Sequence, residues 1–113
     1  MLMKIAIILY SNDPETAWNA FRLGNASLGY DNEVVIFLLG SGVECVEINS
    51  LRYNVKEQMD VFDEFGGKLI GCGVCAEGRA DEMPLLKDSL TCTMGSMQDL
   101  YAIVKDYDKV LTF

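Results

Sequence analysis

Histidine is absent from the 113 residues. That absence removes every Ser-His-Asp or Cys-His mechanism and every metal site that needs imidazole. A nucleophile in this chain has to be activated by backbone dipoles, by Lys or Arg, or by a carboxylate. Positive charge is also scarce: nine Lys and Arg face seventeen Asp and Glu, for a formal charge of -8. Such a balance gives no footprint for gripping phosphate backbones, so direct nucleic-acid binding is not expected. The acidic excess reads instead as a solvated face. Long apolar runs are missing too. None approaches the roughly 18 residues of a membrane helix, so no membrane partner is expected. The opening Met1-Leu2-Met3-Lys4-Ile5 lacks a basic n-region and a small-residue cleavage site, and therefore does not read as a signal peptide. Either Met1 or Met3 can serve as the start. A cytoplasmic location follows as the expectation, with Cys45, Cys72, Cys75 and Cys92 mostly reduced.

What is present is hydrophobic residue, at 50% of the chain. A disordered chain is excluded, and the length suits one domain, 1–113, with a sizeable core. Lys4 to Tyr10 (KIAIILY) and Glu33 to Leu39 (EVVIFLL) are short β-branched and apolar runs of the kind found in buried parallel strands. Between them, Asp13 is suited to capping and Pro14 to the first helical position. A helix is expected from there to about Leu28, with Ala17, Ala20, Phe21, Gly24 and Leu28 as its inner stripe. Trp18 lies off that stripe, at the flank of the core or at a subunit contact.

Gly40-Ser41-Gly42 turns the chain into a short helical candidate, Val43 to Ile48. Asn54 and Glu57 open a second helix whose inner face is Val55, Met59, Phe62 and Gly66, and Gly66-Gly67 ends it. Lys68 to Gly71 is a third strand. Gly78 to Asp88 reads as irregular, with Pro84 opposing a long helix. Leu90 to Met94 is a fourth strand. Ser96 and Asp99 cap a last helix made amphipathic by Met97, Leu100, Tyr101 and Val104, and Lys109 to Phe113 closes the chain as a strand. Strands alternating with helices predict a three-layer α/β/α sandwich with about five mostly parallel strands, flavodoxin-like in its layering.

The chemistry concentrates in Lys68-Leu69-Ile70-Gly71-Cys72-Gly73-Val74-Cys75-Ala76-Glu77-Gly78-Arg79. Cys72 falls at the carboxyl end of the third strand, the edge of an open α/β sheet where ligands and reactive groups collect. The amides that follow favour a thiolate over a thiol. The Cys72–Cys75 pair reads as a redox dithiol, as half of a zinc site with Cys45 and Cys92, as a persulfide-bearing nucleophile with a neighbour, or as buried small hydrophobes. Zinc is disfavoured because Cys45 and Cys92 stand apart rather than as a second close-spaced pair. Each reads more simply as core. Arg79 can lower a thiol pKa or hold an anionic sulfur substrate. Its ordinary alternative is an ion pair with Glu77, Asp81 or Glu82. The loop Ser11-Asn12-Asp13-Pro14-Glu15-Thr16 has no glycine and two acids, so it disfavours a flavin phosphate. No cofactor or metal is expected. The third strand ends in Gly71-Cys72 where a phospho-receiver needs an aspartate.

Taken together, KIAIILYSNDPET, EVVIFLLGSGV, IGCGVCAEGR and DYDKVLTF resemble the DsrE/DsrF-like family, the sulfur-relay proteins of the DsrEFH and TusBCD type. The resemblance spans nearly the whole chain. It implies a flavodoxin-like sandwich, a trimer or hexamer, and a cysteine that accepts and passes sulfane sulfur in a sulfurtransferase-like relay. Cys72 and Arg79 match the family's cysteine and arginine. Cys75 is an additional thiol, and Ala80 stands where a glycine commonly follows the arginine. On this reading Cys72 receives sulfur from a donor protein as a persulfide and passes it to a partner thiol. Arg79 assists the anion, and Cys75 is a resolving or a structural thiol. An assembly subunit with core cysteines and a Cys72–Cys75 redox protein are the two rival readings.

Overall fold

The computed structural model describes residues 2–79 and 92–113. Its strands are β1 (Lys4–Leu9), β2 (Glu33–Leu38), β3 (Lys68–Cys72), β4 (Cys92–Gly95) and β5 (Lys109–Thr112). They form one parallel sheet in the order β4-β3-β2-β1-β5. One row of paired residues, Leu111–Ile7–Ile36–Leu69–Cys92, runs across all five strands and fixes their register. β2 lies at the centre. Val34 to Leu38 are buried without alternation, as expected of a strand covered on both faces. The layered α/β class is the one the strand–helix alternation predicts. Its strand order differs from the 2-1-3-4-5 order of flavodoxin itself.

Helices α1 (Pro14–Gly29) and α2 (Val55–Glu64) pack together on one face. Asp13 caps α1 by accepting the Thr16 amide at 2.9 Å, and Pro14 occupies its first turn. The buried stripe is Ala17, Ala20, Phe21, Gly24 and Ser27, with Leu28 half-buried beside it. Ser27 is tolerated there because its hydroxyl donates to the Leu23 carbonyl. Asn54 caps α2 through the Glu57 amide. Phe62 of α2 meets Phe21 of α1 edge-on, with ring centroids 5.8 Å apart. Val55 and Met59 are buried with Phe62, but Gly66 is exposed. The helix stops at Glu64, and a left-handed turn at Gly66 (φ 88°) leaves that residue outside the core before Gly67 returns against the Phe62 ring. Trp18 lies half-buried against the core. Its ring is 5.4 Å from that of Tyr53, and the Arg22 guanidinium stacks over it at 4.2 Å. These contacts within the chain are those of a core flank.

The short helical candidate after β2 is a 3-10 helix, Gly40–Glu47, and it begins earlier than its apolar residues suggest. Val43 and Cys45 are its buried anchors. Helix α3 (Gly73–Glu77) follows β3 directly, and α4 (Met97–Asp106) joins β4 to β5. The chain reverses direction at that step, from one edge of the sheet to the other. The right-handed rule for parallel crossovers then places α4 on the face opposite α1 and α2. Its capping box is complete: Ser96 accepts the Asp99 amide while Asp99 accepts the Ser96 amide. Of the four residues expected to make α4 amphipathic, Leu100 is buried, and Ile103 joins it. Met97, Tyr101 and Val104 are exposed. The irregular stretch expected from Gly78 survives as a turn at Gly78 and Arg79, and its continuation lies outside the described residues. So do Leu90 and Thr91 of the fourth strand.

Candidate functional site

Cys72 is both the last residue of β3 and the N-cap of α3, with extended dihedrals (φ -66°, ψ 117°). A buried apolar strand delivers it to the carboxyl edge of the sheet, opposite Gly95 of β4. The chain then enters α3 at once with Gly73, which brings Cys75 one helical turn further on. Both residues are thiols, not a disulfide. Cys72 is 4% exposed and Cys75 is half-buried, with Val74 projecting outward between them.

The two sulfurs sit in opposite electrostatic situations. Burial pushes the Cys72 thiol up. The Val74 and Cys75 amides at the start of α3 and the neighbouring Cys75 thiol favour the charged form, and together they bring its pKa below the ordinary thiol value, although no capping hydrogen bond to the sulfur is closed. Cys75 shifts the other way. Burial raises it, the neighbouring Cys72 sulfur raises it further, and the Gly40 amide opposes this without reversing it. The adjacent charge on Cys72 adds to the rise, and Arg79 takes a little away. The pair therefore favours one thiolate, on Cys72, with the remaining proton on Cys75.

Cys75 is held from two sides. Its Sγ accepts the Gly40 amide at 3.3 Å, and its carbonyl accepts Arg79 Nη1 at 2.9 Å. Arg79 Nε in turn donates to Glu44 at 2.7 Å, and Asn12 Nδ2 donates to the other oxygen of Glu44 at 3.3 Å. A polar strap thus runs from the β1–α1 loop through the 3-10 helix to the end of α3. Glu44 is held below the usual carboxylate range, first by the Arg79 hydrogen bond and then by Asn12. Two glycines make the strap possible. Gly40 takes a left-handed conformation (φ 58°) with the Tyr10 ring against it. Gly42 lies so close to β1 that a Cβ would stand 1.8 Å from the Leu9 carbonyl oxygen.

Cys72, Cys75 and Arg79, singled out in the sequence, are therefore neighbours. Arg79 forms its ion pair with Glu44, a partner 35 positions away, rather than with the nearby Glu77. Asp81 and Glu82 lie outside the described residues. Gly40, Glu44 and Asn12 were not legible as members of the site. The Gly40-Ser41-Gly42 turn at the end of a strand was the one signal that pointed toward them. Cys45 is buried in the core, and Cys92 lies in β4 as expected. Among the described residues, no three Cys, Asp or Glu side chains gather as a metal-binding group. The strand order reverses at β1, between β2 and β5, so the dithiol stands two strands away from the crevice that such a reversal creates.

With this geometry in place, comparison with known proteins is decisive for the family. The model of the DsrE/DsrF-like family matches residues 3–113. The chain belongs to that family. The uncharacterized protein MJ0989 of Methanocaldococcus jannaschii is 32% identical over 117 residues, covering 98% of this chain and all of that one. A solved structure of a conserved protein of unknown function, BT1422 from Bacteroides thetaiotaomicron, superposes with a TM-score of 0.78 at 20% identity. That match covers 97% of this chain and 94% of the other, and it shows a shared fold. DsrE/DsrF-like membership points to a role in sulfur relay. No helix among the described residues is long and apolar enough to cross a membrane.

Proposed function

We propose that this protein is a sulfur carrier that accepts sulfane sulfur on Cys72 as a persulfide and yields it to a thiol acceptor. One observation supports this above the others. Cys72 ends β3 at the carboxyl edge of the sheet and stands as the N-cap of α3, where the first helix amides and the neighbouring Cys75 favour the thiolate. The thiolate attacks the outer sulfur of a donor, a new S–S bond forms, and the donor's remaining fragment leaves with the bonding pair. The same donors that favour the resting thiolate then face the persulfide anion. Arg79 acts here by fixing the Cys75 backbone and by adding positive charge near the pair. The test is intact-protein mass after incubation with inorganic polysulfide, followed by peptide mapping. A gain of about 32 Da per sulfur is expected on Cys72 in a Cys75→Ser protein, and none in Cys72→Ser. Equal loading of Cys72→Ser and wild type would sink the reading.

We also propose that the protein works as a homo-oligomer, a trimer or hexamer, with the outer side of α4 as a contact between copies. The apolar arc of α4 is wider than its own chain covers: Met97, Tyr101 and Val104 remain exposed beside buried Leu100 and Ile103.

A further inference from the structure

Cys72 is poorly placed to hand sulfur directly to another protein. At 4% exposure its sulfur lies beneath the surface, whereas thiol exchange needs the attacking sulfur to approach in line with the bond that breaks. A small inorganic donor can reach such a sulfur more easily than the cysteine of a folded partner. One thiol does reach it. Cys75 lies three residues on, in the first turn of the helix that Cys72 caps, near enough that each sulfur shifts the ionisation of the other. The Gly40 amide on Sγ and the Arg79 guanidinium on the carbonyl hold Cys75 in place. Glu44 and Asn12 complete that support at Arg79.

We infer that the thiol that discharges the Cys72 persulfide is Cys75 of the same chain, which displaces the carried sulfur, so that the protein takes up sulfur from small inorganic polysulfides and releases it as sulfide. This rests on the carrier reading above and names its substrate class and product. In the step, Cys75 Sγ bonds to Cys72 Sγ, and the bond from Cys72 Sγ to the outer sulfur breaks. The outer sulfur leaves with the bonding pair and takes the Cys75 proton, departing as hydrosulfide. The persulfide anion and the thiol become a disulfide and HS⁻, so charge and atoms balance. The outer sulfur is reduced to sulfide, and the two cysteines supply the electrons by becoming a disulfide. A dithiol reductant restores the pair for another turnover. Gly40 loses its contact with a free thiol when the disulfide forms, which ties the 3-10 helix to the state of the pair.

The experiment is a single turnover of reduced wild-type protein with inorganic polysulfide and no added reductant, following sulfide release and intact mass together. Wild type should release about one sulfide per chain more than Cys75→Ser, which frees only what loading splits from the donor, and should end about 2 Da lighter, with Cys72 joined to Cys75. Cys75→Ser should keep the adduct of about 32 Da on Cys72 and, once loaded, release no further sulfide until a thiol is added. A wild-type protein that retains the adduct and releases no further sulfide would overturn this inference and leave the carrier reading standing. Sulfide release from Cys75→Ser as fast as from wild type would overturn it in the same way. Absence of both the adduct in Cys75→Ser and the disulfide in wild type would remove the carrier reading, and this inference with it. The wild-type measurement decides the question even if the serine variant folds poorly.

Discussion

Cys72 and Cys75 share one turn of backbone, and their chemistry separates because of what reaches each sulfur. The amides at the start of α3 favour a thiolate on Cys72, while Cys75 carries the cost of burial beside a charge. A thiol reacts with an alkylating agent through its thiolate, so each rate follows that cysteine's own ionisation. Iodoacetamide labelling followed by peptide mapping across pH should therefore show Cys72 modified first, with its midpoint below the ordinary thiol value. Cys75 should lag, with its midpoint above that value. Restricted access of the reagent slows both rates without moving the midpoints. Replacing Cys75 by Ala removes one group that favours the Cys72 thiolate, so the Cys72 midpoint should rise in that variant. A Cys72 midpoint unchanged by the loss of Cys75 would mean that the two sulfurs do not interact. Much of this was visible in the sequence: the end of an apolar strand, two cysteines three apart, and the arginine that follows. The order of the two ionisations was not. It depends on the helix amides favouring Cys72 by more than the Gly40 amide favours Cys75, and Gly40 comes from a different strand end with no side chain by which a pattern could reveal it.

At the scale of elements, the site depends on the 3-10 helix being pressed against the end of β1. The helix carries Glu44, which orients Arg79, and Gly40, which meets Cys75. Gly42 is what allows the approach, since a Cβ there would stand 1.8 Å from the Leu9 carbonyl oxygen. Backbone cannot swing aside as a long side chain can. Gly42→Ala should thus cost roughly 2–4 kcal/mol, in the upper range for overpacking. A urea titration should show the midpoint falling with little change in slope. An unmoved midpoint would contradict the close packing of the 3-10 helix on β1. Regular elements were legible because their signals are local: Asp13-Pro14, Asn54 with Glu57, and Ser96 with Asp99 each mark a helix start within four residues. The 3-10 helix was only partly legible. Its apolar residues, Val43 and Cys45, mark its middle, whereas its start is set by a left-handed glycine and by contact with β1. Gly66 was misplaced for a related reason. Helical spacing continued on paper past Phe65, while the left-handed turn left Gly66 outside the core.

At the scale of the molecule, the two faces of the sheet are covered unequally. α1 and α2 pack on each other and on the strands beneath them, while α4 sits alone on its face among the described helices. At about 100° per residue, Ile103, Leu100, Val104, Met97 and Tyr101 occupy a continuous arc of roughly 160°. The buried part of that arc is Ile103 and Leu100, and the exposed part is the other three. β5, an edge strand that follows directly, adds exposed Val110 and Leu111. The sequence pattern showed how wide the arc is, yet one chain's periodicity cannot tell its own core from a neighbour's. A second copy would remove this apolar surface from water, and that gain is the driving force we assign to assembly. Tyr101→Lys with Val104→Lys places two ammonium groups on the exposed part and leaves Leu100 and Ile103 in place. Light scattering should report a trimer or hexamer for wild type and a smaller species for the double variant, with the circular dichroism of the folded sheet retained. A wild-type monomer at tens of micromolar would remove the assembly proposal. An oligomer unaffected by the two lysines would move the contact to another face.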